Sequence, residues 1–245
     1  MELVDRFFNA VEARRERRPA KATDYLATDW SVASSELSQL LGIEIASLLD
    51  ESSVIHLDQE VGERLQRLEG KPFTRRHSAD VTLARACYAI CRTLKPDFVL
   101  ETGVAYGVTS SYVLAALAAN GKGLLHSIDL PPLALHADAY IGAAIPERLR
   151  DRWRLHRGST RRMLPKVLSA VDSVDVFIHD SMHTYASVCR ELALVVPKMS
   201  KNSALLVDDV ELNCAYSDWV QAASPRCSVV VKESGKNSLF GIAAF

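Results

Sequence analysis

Apolar residues recur along the chain at two spacings, and the change from one to the other divides it. Val4, Phe7, Phe8 and Val11 fall at helical intervals, as do Leu37, Leu40, Leu41 and Leu48, and then Val61, Leu65 and Leu68. Three helices are therefore predicted over the first seventy or so residues. Ser34 or Ser35 can cap the second, because a hydroxyl there accepts from amides that have no partner within the helix. The third stops at Gly70-Lys71-Pro72. Arg14, Arg15, Arg17 and Arg18, punctuated by Pro19, read as a solvated helix end favoured by the dipole.

From about Ser78 the pattern changes. Val81, Ala84, Tyr88 and Cys91 predict a helix that ends at Lys95-Pro96, since proline cannot continue it. Short apolar runs then alternate with helical segments. FVLET, LLHSID, WRLHRG, VDVFIHD and ALLVDDV read as strands, and TSSYVLAALAAN as a helix. Such alternation builds βαβ units and a mostly parallel sheet. The tail departs from it: CSVVVKES and SLFGIAAF, joined by Gly235-Lys236-Asn237, read as an antiparallel hairpin. The expected architecture is α/β, a Rossmann-like sheet over residues 73–245 preceded by a helical extension over 1–72.

Composition narrows the partners. The 245 residues are 48% hydrophobic and 24% charged, with a formal net charge of -1. A nearly neutral chain has no global field to recruit nucleic acid or an anionic membrane. No apolar run is long enough to span a bilayer, and the first residues lack a signal-peptide pattern, so the cytoplasm is the expected compartment. Cys87, Cys91, Cys189, Cys214 and Cys227 are odd in number and irregularly spaced, which points to reduced thiols rather than disulfides or a zinc site.

Candidate chemistry gathers where strands end. FVLET runs into Gly103-Val104-Ala105-Tyr106-Gly107-Val108-Thr109-Ser110. Gly103 allows a sharp turn and Gly107 a close backbone approach to a ligand at a helix N-terminus. The spacing is E-x-G-x-x-x-G rather than the G-x-G-x-x-G of dinucleotide sites, and the acid Glu101 suits a ligand bearing an amine better than a pyrophosphate. Asp129 ends the next strand, where a carboxylate can accept both ribose hydroxyls of a nucleoside.

At the far strand ends, VDVFIHD delivers Asp180 and ALLVDDV delivers Asp208 and Asp209. Three carboxylates brought together repel unless a cation or proton neutralises them, and hard oxygen ligands suit magnesium, calcium or manganese. Asn213 offers a further oxygen. His183 stands beside the cluster and is a candidate general base. His126, His156 and His179 have no comparable context, and alternation turns His179 to the opposite side of its strand from Asp180.

These motifs resemble those of class I S-adenosylmethionine-dependent methyltransferases. E-T-G-V-A-Y-G-V-T-S is similar to their first motif. F-I-H-D-S-M-H-T-Y followed by L-L-V-D-D-V resembles the branch with macrocin- and cephalosporin-pathway O-methyltransferases, similar in layout to catechol O-methyltransferase. The resemblance covers roughly residues 75–245. It implies that Glu101, Gly103 and Gly107 hold the methionine end of the cofactor, with Tyr106 and Thr109 of the same loop alongside. It further implies that Asp129 binds the ribose, that Ser159 lies along the adenine, and that Asp180, Asp208 and Asp209 hold a metal such as Mg2+, Asp180 also bordering the cofactor. His183 falls where the catechol enzyme has its catalytic lysine. Lys201-Asn202-Ser203 replaces the common P-G-G turn, and Met182 stands where related chains often carry an acid.

The implied activity is methyl transfer to a hydroxyl of a small molecule, with neither nucleic acid nor membrane as partner. A homo-oligomer through the N-terminal helices is left open. The rivals are an NAD-dependent oxidoreductase on a similar sheet, against which the glycine spacing argues, and a non-catalytic cofactor-binding module.

Overall fold

A computed structural model describes residues 2–15, 25–41, 44–68, 72–73, 80–133 and 136–245. Arg17, Arg18, Pro19, Gly70, Lys71 and Ser78, singled out above, lie outside the described residues. The strands are β1 (Ala27–Thr28), β2 (Phe98–Thr102), β3 (Leu124–Asp129), β4 (Trp153–Arg157), β5 (Val174–His179), β6 (Met199–Val207), β7 (Cys227–Lys232) and β8 (Leu239–Ala244). They form one sheet in the order β1-β7-β8-β6-β5-β2-β3-β4. Only β8 runs against its neighbours β6 and β7; every other pairing is parallel. The expected Rossmann-like sheet with a terminal antiparallel hairpin is present.

The central strands are apolar on both sides because helices cover both. Val99, Val176, Ile178 and Leu206 face one core, and Leu100, Phe177, Leu205 and Val207 the other, the two-residue alternation of a strand buried on both faces. Helices α2 (Trp30–Leu41), α3 (Ile45–Leu48), α4 (Ser52–Arg67), α5 (Val81–Leu94) and α6 (Val108–Asn120) supply the first core. Helices α7 (Thr160–Ser169), α8 (Tyr185–Val195) and α9 (Ala215–Ala223) supply the second. Helix α5 is delimited by its own chemistry. Asp80 accepts from the Thr82 amide at 2.7 Å to begin it, and Lys95 in the left-handed region (φ 49°) ends it before Pro96.

Two expectations are corrected. Helix α2 begins at Trp30, four residues before Ser34, and the Ser34 hydroxyl instead donates back to the Ser31 carbonyl at 3.1 Å. The extension is also not purely helical, since β1 pairs in parallel with β7 and extends the sheet. Helix α1 (Glu2–Arg15) buries no residue, and Val4, Phe7 and Phe8 of its apolar stripe are exposed. It is fastened by its charges: Glu2 to Arg157 at 2.5 Å, Asp5 to Arg162 at 3.4 Å, and Glu12 to Arg161 at 2.6 Å and Arg190 at 3.0 Å.

None of the five cysteines forms a disulfide, and Cys87 and Cys91 are fully buried in the core. Among the described residues, no helix is long and apolar enough to cross a membrane.

Candidate active site

The chain order reverses around β2: its successor β3 lies on one side, and the later β5 on the other. A crevice opens at the carboxyl ends of strands where connections part in this way. Gly103 turns the chain out of β2 with φ +86°, and a Cβ there would lie 1.8 Å from the Asp180 carbonyl oxygen. Glycine is required on both counts. Gly107 (φ +81°) precedes α6, and a Cβ there would come within 2.9 Å of the Gly142 Cα. Its freedom serves packing against that neighbouring turn.

Asp129, at the end of β3, holds the glycine turn in place. One of its carboxylate oxygens accepts from the backbone N–H groups of Val104 at 2.8 Å and Ala105 at 2.9 Å. Burial raises its pKa above the ordinary carboxylate value against these bonds. A cavity of about 560 Å³ starts here, within the range of small-ligand sites. Gly103, Val104, Ala105, Asp129 and Ser159 line one part, and Asp180, Met182, His183, Asp208 and Asp209 another. The Ser159 hydroxyl is buried without a partner.

The far end is acidic. Atoms of Asp180, His183 and Asp208 able to bind a metal lie within 4.8 Å of one another. His183 Nε2 stands 3.6 Å from Asp180 Oδ1 and 3.6 Å from Asp209 Oδ2. Burial pushes the Asp180 pKa well up, and the neighbouring Asp208, Asp209 and Glu101 carboxylates push it further. Asp208 is raised for the same reasons, burial first and then Asp209 and Glu233. One oxygen of this buried side chain, Oδ1, has no partner. Burial, and then His179, lower the His183 pKa to about 4, so its imidazole is neutral at pH 7. Asn213 does not join the carboxylates; its Oδ1 accepts from the Ala215 amide at 2.9 Å and its Nδ2 donates to the His183 carbonyl at 3.2 Å.

Some of the residues expected at the cofactor do not line the cavity. Glu101 is 1% exposed and accepts from the Ser110 and Ser127 hydroxyls at 2.7 and 2.6 Å, behind the glycine turn rather than in the cavity. The Tyr106 hydroxyl donates to the Phe73 carbonyl at 2.8 Å, so this ring secures the segment at Phe73. Thr109 is buried in α6 and, like Gly107, lies outside the cavity wall. All four occupy the motif but face the fold. Asn9 of α1, Phe73 and Lys236 of the β7–β8 hairpin also line the cavity. The sequence had marked Lys236 only as a turn residue.

His126 and His156 are not isolated: their rings stack, with Nδ1 and Nε2 3.0 Å apart. His179 also has a defined context, its Nδ1 lying 2.8 Å from a carboxylate oxygen of the buried Glu191.

The sheet topology is that of a Rossmann-like methyltransferase fold. Residues 100–210 match the family described as a methyltransferase domain. No curated protein matches the sequence significantly. Solved structures share the fold at low identity. An O-methyltransferase from Bacillus cereus, in complex with S-adenosylhomocysteine, is 13% identical with a TM-score of 0.57, covering 88% of this chain and 97% of that one. An O-methyltransferase of tomaymycin synthesis from Streptomyces achromogenes, in complex with S-adenosylmethionine, is 15% identical with a TM-score of 0.57, covering 88% and 96%. An S-adenosylhomocysteine-bound methyltransferase from Podospora anserina is 12% identical with a TM-score of 0.57, covering 91% and 99%.

Proposed function

We propose that this protein transfers the methyl group of S-adenosylmethionine to a hydroxyl oxygen of a small molecule, with a divalent cation at the acidic cluster and His183 as proton acceptor. One observation carries the reading. A single cavity has the nucleoside-type acid Asp129 in one part and the Asp180–His183–Asp208–Asp209 cluster in another. Similarity to structures called O-methyltransferases supports oxygen as the acceptor atom.

Asp129 has one oxygen committed to the glycine turn and presents the carboxylate to the ribose hydroxyls. Gly103–Ala105 let the cofactor lie close to the backbone, and Ser159 borders the adenine. The buried, unpartnered Asp208 Oδ1 and its neighbouring carboxylates fit a hard divalent ion, which Asp180, Asp208 and Asp209 would hold. Such an ion, Mg2+ for example, lowers the pKa of a bound hydroxyl. His183, neutral at pH 7, takes the hydroxyl proton on Nε2. The acceptor oxygen forms a bond to the methyl carbon as the carbon–sulfur bond breaks, leaving S-adenosylhomocysteine. The chain's main contribution is to hold the reacting atoms in line.

Calorimetric titration with S-adenosylhomocysteine, with and without Mg2+, tests the cofactor and metal parts. Micromolar binding and a separate Mg2+ heat are expected. Absence of nucleoside binding under both conditions sinks the reading. For the base, His183→Ala should lower turnover about 10²–10⁴-fold on any accepted hydroxyl and leave cofactor affinity intact. Unchanged turnover removes His183 from the mechanism.

A further inference from the structure

Helix α1 has one face that neither the fold nor the cavity uses. Leu3, Val4, Phe7 and Phe8 are 72, 55, 64 and 50% exposed, and Arg14 and Arg15 at the end of the helix are exposed as well. At 3.6 residues per turn these six positions share one arc of about 140° around the helix axis. Val11 falls inside that arc and no acidic residue does.

The acids lie opposite. Glu2, Asp5 and Glu12 pair with arginines of β4, α7 and α8, and Asn9 on the same side lines the cavity. These ion pairs fix how the helix is turned, with carboxylates inward and with apolar and basic side chains outward. A contiguous apolar band left in water marks a surface that meets something else.

The pattern of the band selects its occupant. A groove on a partner protein takes a helix along a line of anchors at i, i+3 or i+4, and i+7. Here the residues come as adjacent pairs, 3 with 4, 7 with 8 and 14 with 15, which splay to both sides of the arc and make a broad face. A second copy of the helix would cover little of it. The 14 residues of α1 rise about 21 Å, so a band about 10 Å wide buries about 200 Å² on each side, against about 800 Å² per partner in a stable interface.

A lipid bilayer complements both parts of the band. Apolar side chains enter the boundary between headgroups and acyl chains, and guanidinium groups meet anionic headgroups. In the sequence Arg17 and Arg18 follow directly, which concentrates basic charge at that end. The acids that would repel such a surface are already paired inward. The expectation of no membrane partner came from a net charge of -1 summed over the whole chain, and such a sum hides a local face.

We propose that the outward face of α1 docks on an anionic lipid bilayer, with Leu3, Val4, Phe7 and Phe8 entering the interface and Arg14 and Arg15 meeting its headgroups. The helix lies along the bilayer surface and does not cross it. Docking requires nothing of the chemistry in the cavity.

Co-sedimentation of the full chain with vesicles tests this. Vesicles of equal parts phosphatidylcholine and phosphatidylglycerol are expected to carry the protein down, and phosphatidylcholine alone to bind it at least about tenfold more weakly. Phe7→Ser with Phe8→Ser should weaken binding to the anionic vesicles about tenfold or more. Arg14→Gln with Arg15→Gln should reduce the preference for phosphatidylglycerol. All four side chains are exposed, so both variants are expected to melt with the wild type, and either pair alone suffices for the test. No sedimentation with the anionic vesicles overturns the proposal, as does equal binding to the two kinds of vesicle, or binding that neither pair of substitutions weakens. Sedimentation velocity without lipid decides the rival occupant. A dimer that Phe7→Ser with Phe8→Ser dissolves assigns the face to a second copy and overturns the proposal; a monomer supports it.

Discussion

Gly103 and Asp180 are in backbone contact: a methyl group on the glycine would lie 1.8 Å from the Asp180 carbonyl oxygen. The glycine turn after β2 and the loop that presents Asp180 are therefore built against each other. Gly103→Ala meets both this clash and the left-handed φ of +86°, for which the backbone cost alone is roughly 1–2 kcal/mol. The variant is expected to lose measurable S-adenosylhomocysteine binding and to melt earlier. Wild-type affinity in calorimetry would show that the two segments part freely.

Glu101 offers a test of a motif acid that faces the core. Its pKa is raised to about 7, burial outweighing the two serine hydroxyls. The folded state therefore binds this proton more tightly than the unfolded chain, whose carboxyl titrates near 4.5. The resulting stabilisation is complete below that value and is lost as pH rises through about 7. Glu101→Gln keeps an acceptor for Ser110 and Ser127 and carries no charge. It is expected to exceed the wild type in stability at pH 8 by up to roughly 3 kcal/mol, a gain that vanishes near pH 4. Urea unfolding of both proteins at the two pH values measures this, and equal stability at pH 8 would refute it. Cofactor affinity should stay unchanged.

The orphaned Asp208 oxygen predicts a cation. Mn2+ titration followed by electron paramagnetic resonance is expected to show one site, weakened at least about tenfold, or about 1.4 kcal/mol, in Asp208→Ala. Equal Mn2+ affinity in the two proteins would take Asp208 out of the ligand set.

Helix α1 predicts a salt effect. Its grip on Arg157, Arg161, Arg162 and Arg190 is ionic and partly exposed, and such pairs weaken as salt screens them. Trypsin should release residues 2–15 faster in 1 M NaCl, where screening acts within about 3 Å, than at low salt, and Glu12→Gln should reproduce the effect at low salt. A release rate independent of both would mean the helix is held by something other than charge.

The sequence was most legible where local spacing determines structure. Alternating apolar runs placed every strand from β2 to β8, and the positions of Gly103, Asp129, Asp180 and Asp208 at strand ends follow directly from that register. Spacing does not say which way a motif side chain turns. Glu101 and Thr102 are adjacent, yet one bonds to serines of α6 and β3 and the other to Glu191. The motif therefore assigned Glu101 and Tyr106 to a ligand, whereas their side chains face the fold and do not line the cavity. The Glu191–His179 pair depends on strand β5 and helix α8 packing together, and Asn9 reaches the cavity only through the ion pairs of α1. Neither has a one-dimensional signature. The stripe of α1 was legible as a helix, but Val4, Phe7 and Phe8 stay exposed while its acids pair with arginines.

That reversal separates the cover from the body. Since α1 contributes no side chain to either core, exchanging residues 2–15 for another helix with acids at positions 2, 5 and 12 calls for no repacking beneath it. The wall of the cavity at Asn9 can then be redrawn independently of the scaffold, which makes this helix the natural place to begin altering the shape of the cavity.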